Sequence, residues 1–118
     1  MNLVPFEVKS EELEDGIRTF TVRGELDMGT APDLERELEP ALTDHDTSVM
    51  LDLSECEFID STGIALVVRL WQQLEQGAGR LVLCSPNLQV RRLLQITGVE
   101  SSIPMHEQRE AALDELRS

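Results

Sequence analysis

Two hydroxyls stand side by side in Phe58-Ile59-Asp60-Ser61-Thr62-Gly63, between an apolar strand-like run and an apolar helix-like run. Backbone N–H groups at a helix start lack intrahelical partners and carry partial positive charge, so Ser61 occupies a place where a phosphate is tolerated. Catalysis by either hydroxyl would need a base close by. Neither histidine flanks the segment: His45 lies in the polar run Thr43-Asp44-His45-Asp46 and His106 lies near the carboxyl end beside Glu107, so both read as solvated loop residues. A nucleophile elbow is absent, because Asp60 precedes the serine and Thr62 follows it where glycines would stand. There is no Walker loop and no GxGxxG fingerprint. Asp52 and Asp60 have no third ligand at a recognisable spacing, so neither a metal nor another cofactor is expected. Asp52 would suit the acceptor aspartate of a receiver domain, but that site also needs a late lysine, and Lys9 is the only lysine. The chemistry that survives is a serine that receives a phosphoryl group. Its plain alternative is a helix cap, with Asp60 or Ser61 contributing about 1 kcal/mol through a side-chain oxygen.

The chain that must position this serine has 118 residues, enough for one core and one domain. Hydrophobic residues make up 41%, which suits a folded protein and not a disordered one. The longest apolar run, Ile64 to Val68, falls far short of the ~18 residues that span a bilayer. The stretch Met1 to Glu7 lacks the basic and apolar regions of a signal peptide. Cys56 and Cys84 are too few for a disulfide framework, which favours a reducing cytoplasm. A net charge of −13, spread along the chain, repels nucleic acid and anionic lipid. Neither nucleic-acid binding nor direct membrane insertion is expected.

Periodicity gives the order ββαβαβαβα. Leu3 to Lys9 reads as an edge strand because Pro5 cannot donate to a ladder, and Glu11 to Gly16 as a turn. From Ile17 to Leu26, Phe20, Val22, Gly24 and Leu26 alternate with Thr19, Thr21, Arg23 and Glu25. Thr30 suits a helix N-cap, with Leu34, Leu38, Ala41 and Leu42 on one face and an end between Glu39 and Thr43, where Pro40 interrupts. Ser48 to Leu53 reads as a buried strand, Ser54 to Ile59 as a loop, and about Thr62 to Gln76 as a largely buried helix closed by Gly77 and Gly79 in left-handed caps. Arg80 to Cys84 is a further strand. Asn87 caps a helix that turns Val90, Leu93, Leu94 and Thr97 inward and ends at Gly98. Ile103 to Met105 reads as a last strand and Glu107 to Leu116 as a last helix, with Ala111, Ala112 and Leu116 inside. Strands alternating with helices imply a mostly parallel sheet, with the opening pair as an antiparallel edge.

Asp52-Leu53-Ser54 followed by Phe58-Ile59-Asp60-Ser61-Thr62-Gly63-Ile64 resembles the signature of the STAS domain, and specifically that of the anti-sigma factor antagonists. The resemblance extends to Gly24-Glu25-Leu26-Asp27 with Thr30-Ala31-Pro32, and to Ser85-Pro86 through Thr97-Gly98. It implies a STAS-like single domain over 1–118, an α/β fold. It also implies a non-enzymatic regulator that captures an anti-sigma factor serine kinase and so releases a sigma factor. Phosphorylation of the serine after the aspartate ends capture, and a serine phosphatase restores it. The implied acceptor is Ser61, with Thr62 less suited. Asp27, Asp52, Ser54, Asp60, Ser61, Thr62 and Gly63 are the implied partner-binding residues, with Asp27 and Asp52 or Ser54 expected near the serine if their strands are neighbours. Arg69 faces either a partner or solvent. Pro40 and the acidic Glu55-Cys56-Glu57 depart from the pattern. The competing expectation is a STAS subunit of a lipid-trafficking ABC-type transport complex, without phospho-switching.

Overall fold

The computed structural model describes residues 4–44 and 46–118, so His45 and the start of the expected first strand lie outside the described residues. The alternation from Ile17 onward becomes β2 (Ile17–Leu26), paired antiparallel with β1 (Glu7–Glu12) through a 3-10 turn at Glu14–Gly16. Asp15 and Gly16 take φ of 67° and 71° there, the left-handed region that glycine enters freely and aspartate tolerates. β3 (Ser48–Ile59), β4 (Leu81–Cys84) and β5 (Met105–His106) then add in parallel, giving the sheet order β1-β2-β3-β4-β5. Each crossover moves one strand in the same direction, so the connecting helices share one face of the sheet. These are α1 (Ala31–Leu42), α2 (Ser61–Gln76), α3 (Leu88–Ile96) and the short α4 (Val99–Ser102). Phe20, Leu51, Leu34, Leu70, Val67 and Leu94 meet in the main core between that sheet face and those helices. α5 (Arg109–Arg117) covers the opposite face alone, setting Ala112 and Leu116 against Ile17, Met50, Val82 and Cys84. The α/β architecture and the order of elements are as expected, with α4 added. No helix among the described residues is long and apolar enough to cross a membrane.

The largest correction concerns Ser54 to Ile59, which is strand and not loop. The 12 residues of β3 lie against the 10 of β2 through two register shifts, between Thr21 and Arg23 and between Gly24 and Glu25. Each shift adds a residue to β3, and such bulges break the period-two alternation by which a strand is recognised. Asp52 is therefore inside β3 and not at its end. β1 begins at Glu7 and continues to Glu12 because its ladder with β2 runs from Glu7 opposite Arg23 to Glu12 opposite Arg18, which absorbs the first two residues of the expected turn.

Smaller differences have local causes. Pro40 removes only one donor in the last turn, so α1 runs through it and ends at Leu42, within the expected range. The Thr30 hydroxyl donates to Glu25 O at 2.7 Å instead of capping α1. Gly77 closes α2 at φ −103°, which is not left-handed. Gly79 is required for space, since a Cβ there would sit 2.0 Å from the Thr47 carbonyl oxygen. Thr97 and Ala111 are exposed: the Thr97 hydroxyl donates to Leu93 O at 2.8 Å at the end of α3, and α5 starts at Arg109, which turns Ala111 outward. The final strand is Met105–His106, which places half-buried His106 in the sheet with Nε2 2.5 Å from Glu115 Oε1, so it is not a solvated loop histidine. Arg69 is exposed and pairs with Glu35 at 2.9 Å across α1 and α2.

Burial raises both thiols from 9.0 to about 11, with the Asp52 charge adding to the effect at Cys84. The native chain keeps these protons where the unfolded chain loses them. The corresponding stability is present below pH 9 and is lost as pH rises towards about 11. Replacing both cysteines with alanine should flatten the decline of unfolding free energy across that interval, as urea titrations at stepped pH will show. α5 is tied to the sheet by Arg109, which donates to Asp52 Oδ2 at 3.0 Å and Thr19 Oγ1 at 3.4 Å. Arg109→Ala strands a buried carboxylate, and urea unfolding should register a loss of about 1–3 kcal/mol, with Arg109→Lys intermediate.

Candidate functional site

β2 and β3 are neighbours and end together, because Leu26 pairs with Ile59 and Asp60 N–H donates to Leu26 O at 3.2 Å. Asp60 follows β3 directly and keeps extended backbone angles while its carbonyl already accepts the first intrahelical bond, from Ile64 N–H at 2.9 Å. Its Oδ1 accepts from Thr62 N–H at 2.9 Å and Gly63 N–H at 3.0 Å. Asp60 is thus the N-cap of α2. The expectation of unsatisfied N–H groups at this helix start holds for Ser61 N–H, while the next two are already held by a carboxylate. Ser61 itself is exposed, and its hydroxyl makes no hydrogen bond among the described residues. Gly63 faces inward, where a Cβ would stand 2.7 Å from Ile59 Cγ1 and 2.8 Å from Leu26 O. That missing carbon lets α2 begin against the ends of both strands.

Asp27 is beside this point, one residue past the end of β2, but its carboxylate is engaged locally. Oδ1 accepts from Gly29 N–H at 2.9 Å and Thr30 N–H at 3.1 Å, while Asp27 N–H donates to Thr30 Oγ1 at 2.9 Å. Two aspartates at adjacent strand ends therefore each fix the turn that follows. Asp52 does not join them. It lies about 20 Å up the strand on the face covered by α5, where Arg109 holds Oδ2 and Ser54 N–H donates to Oδ1 at 2.9 Å. Ser54 is exposed in a separate depression with Arg23, Glu55 and Asn87. Asp27, Asp60, Ser61, Thr62 and Gly63 share one end of the sheet, and Asp52 and Ser54 belong to another region.

The site has a neighbour that the motif did not mark. Asn87 caps α3, with Oδ1 accepting from Val90 N–H at 2.8 Å, and its Nδ2 donates to Cys56 O at 3.1 Å. This ties the bulged end of β3 to the start of α3 and opens a groove of about 300 Å³ between Phe58-Ile59 and the face of α3 bearing Leu88, Arg92, Leu93 and Ile96. Leu88, Arg92 and Ile96 follow one another at i, i+4 and i+8, a spacing readable in the sequence. Among the described residues, no cluster of three or more His, Cys, Asp or Glu is arranged to hold a metal ion.

Replacing Asp60 with alanine frees two N–H groups, and the expected cost is about 0.5–2 kcal/mol. Gly63→Ala pushes a methyl into β2 and β3, at about 1–3 kcal/mol. Ser61→Ala removes no bond and should stay within about 0.5 kcal/mol of the parent. Urea denaturation of the three variants tests this ranking, and a Ser61→Ala loss as large as that of Asp60→Ala would contradict it.

The family model for the STAS domain matches residues 10–112. BtrV of Bordetella bronchiseptica, named as an anti-sigma factor antagonist, is 35% identical over 98 residues, covering 83% of this chain and 84% of that one. An anti-sigma factor antagonist from Mycobacterium paratuberculosis superposes with a TM-score of 0.83 at 27% identity over 98% of this chain and 95% of its own. The Bacillus cell fate determinant SpoIIAA, solved in its phosphorylated form, shares the fold with a TM-score of 0.74 at 24% identity over 94% and 100%. With its α/β architecture and an exposed serine opening an aspartate-capped helix at the strand ends, this chain belongs to the STAS domain family, among the anti-sigma factor antagonists.

Proposed function

We propose that the chain is a phosphorylation-controlled, non-catalytic antagonist. With Ser61 unmodified it binds an anti-sigma factor that is also a serine kinase and so releases a sigma factor in the cytoplasm. Phosphorylation of Ser61 ends the capture, and a serine phosphatase restores it. The observation that carries this reading is the exposed, unbonded Ser61 hydroxyl at a helix start held by other groups. Nothing in the fold has to open for a kinase to reach it, and no native bond is lost when it is modified. The phosphorylated form of SpoIIAA, a protein of the same fold, supports a phosphate on such a scaffold.

The electrostatics favour an effect on the complex over an effect on the fold. A phosphoryl group adds roughly −1.5 to −2 charges. Against the Asp60 carboxylate, taken at about 6 Å, each unit costs about 0.7 kcal/mol in water and about 3 at an intermediate dielectric. Asp60 already occupies two of the N–H groups, so the helix start offers a phosphate little beyond Ser61 N–H. Exposed to water, the dianion is tolerated. Pressed into an interface without a cation, it loses hydration at a cost of several kcal/mol. A loss of ~2.7 kcal/mol already weakens binding a hundredfold. In this reading Asp27, Asp60, Thr62 and Gly63 shape the contact surface around Ser61, while Asp52 and Ser54 act from a distance by fixing β3.

The test is to incubate the chain with the anti-sigma factor kinases of its source organism and ATP, then locate the phosphate by mass spectrometry. Ser61→Ala should abolish labelling and keep binding, and Ser61→Asp should weaken binding at least tenfold. Labelling of Ser61→Ala at Thr62 or elsewhere would reject the assignment.

A further inference from the structure

The groove between the end of β3 and α3 is where this chain departs from its own rule of burying large apolar side chains. Four large hydrophobic residues are exposed among the described residues, and three of them, Phe58 at 46%, Leu88 at 72% and Ile96 at 74%, line this groove. Exposed apolar surface gathered in one place marks a contact site more often than a scattering does. Phe58 is three residues before Ser61, so the groove adjoins the serine.

Charge narrows the occupant. Arg92 lies in the same groove and has no ion pair with a described residue. Its neighbours three and four positions away on the helix, Leu88, Gln89, Gln95 and Ile96, are all neutral. The preceding Arg91, by contrast, pairs with Glu107 at 2.7 Å and Glu100 at 4.0 Å. In a chain of net charge −13, a cation without a carboxylate between two exposed aliphatic side chains leaves its counter-charge to come from outside. A second copy of this chain would bring a further −13 and repel as a whole.

We infer that this groove is a docking site for an amphipathic helix of the anti-sigma factor, one that presents apolar side chains to Phe58, Leu88 and Ile96 and a single carboxylate to Arg92. The inference rests on the antagonist reading and adds a second contact to it, beside the serine and not on it. From Leu88 to Ile96 the face runs about 12 Å, which two turns of a helix cover. Apolar anchors at i, i+4 and i+7 meet such a stripe in the manner of other helix-in-groove contacts. Because the groove is not the phosphorylated atom, modification of Ser61 removes the contact at the serine, which ends capture, and leaves the weaker groove contact unchanged.

The experiment uses the full chain and the purified anti-sigma factor kinase that labels Ser61. Binding is measured by calorimetry for the parent, Leu88→Gln, Ile96→Gln and Arg92→Glu, with folding checked by circular dichroism and urea unfolding. Each variant should weaken binding about tenfold or more while staying as stable as the parent. A photo-crosslinking residue at position 88 should capture a partner helix carrying Asp or Glu, and changing that acidic residue to Arg should restore binding of Arg92→Glu. If the parent binds and is labelled on Ser61 but the three variants bind equally well, the groove proposal is overturned and the antagonist reading stands. If no kinase of the organism binds or labels the parent, both are overturned. Crosslinks to a second copy of this chain, or binding of anionic phosphatidylglycerol vesicles at this face, would also overturn the proposal.

Discussion

One carboxylate sets the geometry of the functional end. Asp60 holds the first turn of α2 through two backbone N–H groups, and its own N–H ties that turn to the last carbonyl of β2. Strand, neighbouring strand and helix are thereby fixed to one another within a few residues. Gly63 completes the join, because only a residue without a side chain lets the helix approach Leu26 and Ile59 so closely. The serine between these residues takes no part in the joinery. That separation of duties matters: the exposed hydroxyl is not one on which the structure relies.

Much of the fold was legible in the sequence, and the failures have specific causes. Helix spacing at Leu34, Leu38 and Ala41, and strand alternation through Phe20, Val22 and Leu26, report one-sided burial directly. The bulged half of β3 was hidden, since Ser54-Glu55-Cys56-Glu57 carries no alternation and only pairing with β2 makes it a strand. α4 is a single turn, too short to leave a periodic trace. Of the candidate site, Asp60, Ser61, Thr62 and Gly63 were readable because they are contiguous, and Asp27 because strands that follow one another in the chain are usually neighbours. Asp52 is far from the serine, and its distance is not legible because it depends on how many strand residues lie between them. The groove is not legible in the sequence, because Phe58 and α3 are thirty residues apart in the chain and meet only in the fold, tied by the Asn87 side chain.

The two faces of the sheet have different characters. The face under α1 to α4 carries a continuous apolar core, whereas α5 covers the other with few apolar contacts and several polar ones. Arg109 binds Asp52 and Thr19 there, and Arg80 donates to the Glu115 carbonyl at 2.6 Å. Polar ties of this kind fix orientation strongly while contributing modest net stability. α5 is accordingly positioned more by direction than by bulk.

The outermost strand has its own consequence. Among the described residues, Glu7-Val8-Lys9-Ser10-Glu11-Glu12 pairs on one side only, and four of its six side chains are charged. An unpaired strand edge invites another chain to extend the sheet, and charges along it make such extension unfavourable. Any protein that docks here is thus steered away from backbone annealing and towards surfaces read by side chains.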